Sequence, residues 1–152
     1  MQTLKEAIPT TASRDSVLDV ILNPLRLSEW SLFIKSVQAK AGSYVVQTRN
    51  GPLEFYWCAD RKNDRAIMQF ELDGAPVEAT FFLYEQGGVR YVGEEFPVNE
   101  ADRADLKRVL RTAKKELGML RALIEREERN LRMPSVTQAV SASGRLSEPS
   151  LP

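Results

Sequence analysis

Between Ser43 and Val98 apolar and polar side chains alternate in short runs separated by turn residues. The runs are SYVVQTR, PLEFYWCAD, RAIMQFEL, APVEATFFLYE and VRYVGEEF; the separators are Asn50-Gly51, RKND, Asp73-Gly74 and Gln86-Gly87-Gly88. A period of two belongs to a strand with one buried face, and Asn-Gly and Asp-Gly favour tight hairpin turns whose central residues take positive φ. A meander of five antiparallel strands is predicted.

The turns also predict register. A two-residue turn at Asn50-Gly51 sets Val46 opposite Phe55 and Tyr44 opposite Trp57. A four-residue loop, Arg61 to Asp64, sets Ala59 opposite Ala66, Trp57 opposite Met68 and Phe55 opposite Phe70. A turn at Asp73-Gly74 sets Phe70 opposite Val77, Met68 opposite Ala79 and Ala66 opposite Phe81. Opposed residues share a face, so the three turns agree on one dry face. It carries Tyr44, Val46, Thr48, Leu53, Phe55, Trp57 and Ala59 from the first two strands, then Ala66, Met68, Phe70, Val77, Ala79, Phe81 and Leu83. Glu54, Tyr56, Asp60, Arg65, Gln69, Glu71 and Glu78 take the other face. The last separator allows either Tyr91 or Val92 to face inward.

After Pro97 the period changes. Leu106, Val109, Leu110, Ala113, Leu117, Leu120 and Ile124 recur every three or four residues, which predicts a long helix from an Asn99 cap to about Leu131. Its apolar stripe would cover the dry face. Near the amino terminus, MQTLKEAIPTTAS suits an edge strand with Pro9 at an edge or bulge position. A helix from Ser16 to Leu22, capped by Asp15 or Ser13, then stops at Asn23-Pro24, and a second short helix starts from Pro24. Trp30 follows, and WSLFIKSVQAK leads into another strand. Residues 132–152 are rich in Ser and Pro and read as a flexible tail, leaving one domain at 1–131.

Charge and composition narrow the chemistry. The chain of 152 residues has 21 basic and 21 acidic side chains, so nothing global favours nucleic acid or an anionic membrane. The basic residues Arg103, Lys107, Arg111, Lys114 and Lys115 read as the solvated side of the long helix. Histidine is absent and Cys58 is the single cysteine, which removes histidine-based triads, the usual zinc sites and any internal disulfide. No metal and no cofactor are expected. No apolar run is long enough for a signal peptide or a membrane span, so a cytoplasmic location is the expectation. An exposed patch of Tyr56, Cys58 and Ile67 would suit a homodimer contact.

The order of elements resembles the SRPBCC superfamily, which includes START domains, Bet v 1-like proteins and polyketide cyclase/dehydrase-like proteins. The resemblance rests on SVLDVILNPLRLSEW (a helix, a proline-broken turn and a Trp), on the hairpin FFLYEQGGVRYV and on the closing helix KKELGMLRALIERE. It extends over roughly Met1 to Arg129. It implies an α+β helix-grip fold, in which a curved antiparallel sheet wraps a long carboxy-terminal helix and two short helices plug one end. It also implies an internal cavity for a hydrophobic small molecule, a lipid or an aromatic, polyketide-like compound.

Under that resemblance the ligand-binding candidates are Tyr44, Phe55, Trp57, Met68, Phe70, Phe81, Leu83 and Tyr91 of the sheet, with Leu110, Ala113 and Leu117 of the helix. The small residues Ala59, Ala66, Ala79 and Gly93 would leave room. A cyclase-type enzyme is the alternative, with Tyr91, Glu94 and Glu95 as catalytic candidates, because a buried carboxyl beside a tyrosine could act as a general base. Whether Glu95, or Arg90 with Glu94, points inward depends on the last turn. The remaining alternative is a protein-interaction module with a filled core, since large apolar residues mostly pack inside.

Overall fold

The computed structural model describes residues 2–132. The predicted flexible tail lies outside the described residues, apart from Arg132. Strand β1 (Thr3–Thr10) is followed by helix α1 (Arg14–Ile21), a 3-10 helix (Pro24–Glu29), and strands β2 (Ile34–Lys40) and β3 (Ser43–Thr48). Strands β4 (Gly51–Asp60), β5 (Arg65–Leu72), β6 (Ala75–Gln86) and β7 (Val89–Pro97) complete the sheet, and helix α2 (Leu106–Arg132) closes the fold. The seven strands are ordered β1-β7-β6-β5-β4-β3-β2, with every neighbouring pair antiparallel. This is the helix-grip arrangement. The edge strand β1 carries Pro9, and α2 lies across the concave face against β1, β7 and α1.

Two hairpins have the predicted register. Trp57 pairs with Met68 and Ala59 with Ala66 across β4–β5, while Phe70, Met68 and Ala66 pair with Val77, Ala79 and Phe81 across β5–β6. Asp73 and Gly74 take φ of 52° and 79°, the doubly positive turn expected of that pair. The β3–β4 hairpin differs by two residues. Tyr44 pairs with Phe55 and Val46 with Leu53, because Arg49 and Asn50 form the turn and only Gly51 takes positive φ, at 107°. The Thr48 hydroxyl fixes this turn by donating to the Gly51 carbonyl at 2.7 Å and accepting from the Asn50 N–H at 3.2 Å. A shift of two preserves the parity of the strand, so the predicted faces survive.

The last hairpin resolves the open choice. Leu83 pairs with Val92 and Phe81 with Glu94, so Val92 and Glu94 face inward. Tyr91 is turned to the convex face, where it stacks on Tyr84 with ring centroids 5.1 Å apart. Glu95 is exposed, and Gly93 also lies on the convex side, under the Phe82 ring, so neither widens the interior. Ala59 is exposed at the hairpin end.

The amino-terminal plug follows its caps. The Ser13 hydroxyl accepts from Ser16 N–H at 3.2 Å, so α1 begins at Arg14, two residues before the predicted Ser16 start. Asn23 caps the next segment through Leu25 N–H at 3.0 Å, and Pro24 occupies a first-turn position, where its missing N–H costs nothing. That segment forms a tight 3-10 helix. The break leaves the Leu22 carbonyl free, and Trp57 Nε1–H donates to it at 2.9 Å. Val17, Leu18, Val20, Ile21 and Leu27 are buried beneath the plug with Trp30.

At the start of the closing helix, Asn99 caps a 3-10 turn (Glu100–Asp105) that leads into α2, where a continuous α-helix was expected. The interior stripe of α2 is formed by Ala113, Leu117, Leu120, Leu123 and Ile124, but also by Glu116 and Glu128. Those two carboxylates, with Glu125 and Glu127, hold the plug. Glu116 accepts from Ser31 and Leu32, Glu125 from Thr10, Glu127 from Arg26, and Glu128 from the Ser13 N–H.

Candidate functional site

Between the concave face, α2 and the 3-10 segment lies a cavity of about 510 Å³. Val46, Leu53, Met68, Phe70, Ala79, Phe81 and Phe96 supply the sheet side; Val109, Thr112 and Ala113 supply the α2 side; Leu27 and Trp30 close the inner end. The mouth is ringed by Phe33, Arg49, Asn50, Ala101 and Arg108, all exposed. Arg108 is paired with Asp102 at 2.6 Å, so the rim is mixed in charge. A second, more open concavity of about 350 Å³ on the convex side, lined by Thr3, Pro76, Glu78 and Glu95 among others, contains no buried polar group.

An aromatic row backs the cavity. Tyr44 stacks on Phe55 at 5.4 Å, Phe55 meets Trp57 edge-on at 6.1 Å, Trp57 stacks on Phe81 at 5.8 Å, and Phe81 meets Trp30 edge-on at 5.5 Å. The offset and edge-on geometries suit the ring quadrupoles. They also stiffen one wall.

The floor is polar. Glu94 from β7 is 6% exposed and Glu116 from α2 is 5% exposed, and both line the cavity. Burial, the neighbouring Glu116 charge and hydrogen bonding to Glu116 push the Glu94 carboxyl well above the usual carboxylate range. Glu116 Oε2 accepts from the Ser31 hydroxyl at 2.9 Å and from Leu32 N–H at 2.8 Å. Glu116 thus serves as an acceptor that ties α2 to the segment after Trp30, with the raised Glu94 carboxyl beside it. Trp30 Nε1–H and Glu94 Oε2 are buried and have no protein donor or acceptor of their own.

Of the residues expected to contact a ligand, Met68, Phe70, Phe81 and Ala113 line the cavity. Trp57 and Tyr44 stand behind it in the aromatic row, while Phe55, Leu83 and Leu117 are buried in the adjoining core. Leu110 is half-buried on α2 and does not line the cavity. Tyr91 is on the opposite side of the sheet. Among the catalytic candidates Glu94 alone reaches the interior; the turn Gln86-Gly87-Gly88 sets the parity that turns Tyr91 and Glu95 outward. Arg90 shares the inner side but is spent on Ala12 carbonyl at 2.8 Å and Glu85 at 3.0 Å.

Trp30, Ser31 and Glu116 belong to the site without having been expected in it. Glu116 had a legible signal: it falls three residues after Ala113 and one before Leu117, so a carboxylate lies on the apolar stripe. Cys58 and Tyr56 are exposed, as their strand parity required. Among the described residues no group of three or more His, Cys, Asp or Glu could hold a metal ion, and no helix is long and apolar enough to cross a membrane.

No protein-family model matches the sequence, and no curated protein matches it either. Solved structures do match in fold. An uncharacterized protein from Bacillus thuringiensis is similar over 81% of this chain and 98% of its own, with a TM-score of 0.63 at 15% identity. A START superfamily protein from Mycobacterium smegmatis is similar over 84% of this chain and 97% of its own, with a TM-score of 0.53 at 14% identity. The di-domain ARO/CYC StfQ from the steffimycin biosynthetic pathway is similar over 83% of this chain and 46% of its own, with a TM-score of 0.59 at 12% identity. This chain therefore has the helix-grip fold found in START-like and ARO/CYC proteins.

Proposed function

We propose that the protein binds an apolar small molecule, a lipid or an aromatic, polyketide-like compound, in the cavity between α2 and the concave face of the sheet. The observation that carries this reading is the cavity itself. Its volume of about 510 Å³ lies within the roughly 300–1,000 Å³ of small-molecule sites, and it has an apolar sheet wall, a carboxyl floor and a polar rim. Fold neighbours among START and ARO/CYC proteins lend support. The test is titration with a neutral fluorescent probe, N-phenyl-naphthylamine, against wild type and against Ala113→Phe, which would fill the space beside Phe81. Saturable binding that Ala113→Phe weakens at least about tenfold, with the fold retained, supports the reading. Equal binding by both proteins contradicts it.

A cyclase-type reaction in the same cavity is the second reading, supported by the Glu94 carboxyl, which burial and the neighbouring Glu116 raise above the usual carboxylate range. A carboxyl with a raised pKa can act as an acid or base near neutral pH. Glu94→Gln should then abolish turnover of a bound compound while binding persists; unchanged turnover would dismiss Glu94 as a catalytic residue.

A further inference from the structure

Resting on the binding reading above, we propose that the cavity floor receives the uncharged hydroxyl of an otherwise apolar ligand, an alcohol or a phenol, between Trp30 Nε1–H and the Glu94 carboxyl. Trp30 is 1% exposed and Glu94 is 6% exposed; both line the cavity, and each has a buried polar atom without a partner. The two lie on either side of Phe81, whose ring meets Trp30 at 5.5 Å and whose strand position pairs with Glu94. A buried polar group left unpaired costs free energy, so two such groups call for a polar occupant.

The chemistry of the two groups selects the occupant. The indole is a donor only, so the ligand must present an acceptor to it. Glu94 Oε2 has no donor of its own, while Glu116 Oε2 is already taken by Ser31 and Leu32, so the ligand must present a donor to Glu94. A hydroxyl is the smallest group that accepts from one side and donates to the other. A ligand carboxylate would meet the Glu94–Glu116 pair with a like charge in a water-poor setting. An ammonium would suit the carboxyl pair but would oppose the indole N–H. A bare hydrocarbon would leave both protein groups unpaired.

Orientation follows from the two ends. Arg49, Asn50 and Arg108 at the mouth are exposed, whereas Trp30 at the closed end is buried. The hydroxyl would enter first, and the apolar body would follow along Met68, Phe70 and Phe81.

The test is calorimetric titration of the full chain with two matched sets: dodecane, dodecanol, dodecanoic acid and dodecylamine; and phenanthrene, phenanthrol and phenanthrenecarboxylic acid. The alcohol or the phenol should bind roughly tenfold more tightly than its parent hydrocarbon, and the acid more weakly than either. Which set binds separates an aliphatic alcohol from a phenol. Trp30→Phe keeps a ring against Phe81 but removes the donor, and should bring the hydroxyl preference close to one. Glu94→Leu should do the same, and serves if Trp30→Phe fails to fold. Binding of the hydrocarbon as tight as the alcohol, or tightest binding by the acid or the amine, overturns the hydroxyl site while leaving the cavity reading intact. Failure of every compound, hydrocarbons included, overturns both.

Discussion

Glu128 offers the most quantitative check on how the plug is held over the cavity. Its Oε2 accepts from Ser13 N–H at 2.6 Å, at the start of α1, and its Oε1 pairs with Arg132 at 3.0 Å. The Ser13 backbone donor, then the Ser16 hydroxyl, hold its carboxyl at about 2 against an ordinary 4.5. The folded value lies below the unfolded one. The contribution to stability is therefore fully present above about pH 4.5 and is lost as the pH falls towards 2. A difference of that size corresponds to a ceiling of about 3 kcal/mol. The Arg132 partner is largely in solvent and adds little, and screening brings the expectation to about 1–2 kcal/mol. Glu128→Gln keeps the shape and one acceptor but removes the charge. Urea denaturation of both proteins should give a gap of about 1–2 kcal/mol at neutral pH, shrinking towards zero near pH 2. Subtracting the variant cancels the other carboxylates. A gap that stays constant from pH 7 to pH 2 would refute the assignment of this charge to the α1 cap.

Glu94 carries the opposite sign: its folded value is raised, so stability falls as the pH rises from the unfolded value towards the folded one. Glu94→Gln should flatten that decline, at up to about 1.4 kcal/mol per pH unit, in pH-dependent urea melts. Gly93→Ala would put a methyl 2.5 Å from the Glu6 carbonyl and 2.6 Å from the Phe82 ring, and should lower stability by about 1–3 kcal/mol in thermal melts while leaving probe binding unchanged. Trp57→Phe orphans the Leu22 carbonyl at the hinge and should cost about 1–3 kcal/mol by urea denaturation.

The sheet was legible because its signals are local. Asp73-Gly74 is a turn pair whose φ requirements leave one register, and RKND closes on itself through Asp60, whose carboxylate accepts from the Asn63 side chain. Asn50-Gly51 misled by two residues because Thr48, with its own hydroxyl, could fasten an earlier turn and leave Gly51 as a single positive-φ residue. Gln86-Gly87-Gly88 contains two residues free to take positive φ, so sequence left both parities open. That ambiguity hid the floor of the site, since Glu94 faces inward in one parity and Tyr91 in the other. The cavity was illegible for a different reason. Whether Val109, Thr112 and Ala113 fill the concave face depends on how far α2 stands from it. That spacing is set by the plug, and by the glutamates that fasten the plug to α2. Trp30 was readable as an anchor, but its unpartnered N–H exists only in the assembled fold.

Native mass spectrometry of freshly purified protein, before and after organic extraction, tests the central claim most directly. The expected result is a discrete extractable mass, a mainly apolar compound bearing a hydroxyl, whose removal leaves a folded protein that takes up the neutral probe. A clean apo mass, together with no binding of that probe or of any compound in the matched sets, would contradict a ligand-binding cavity.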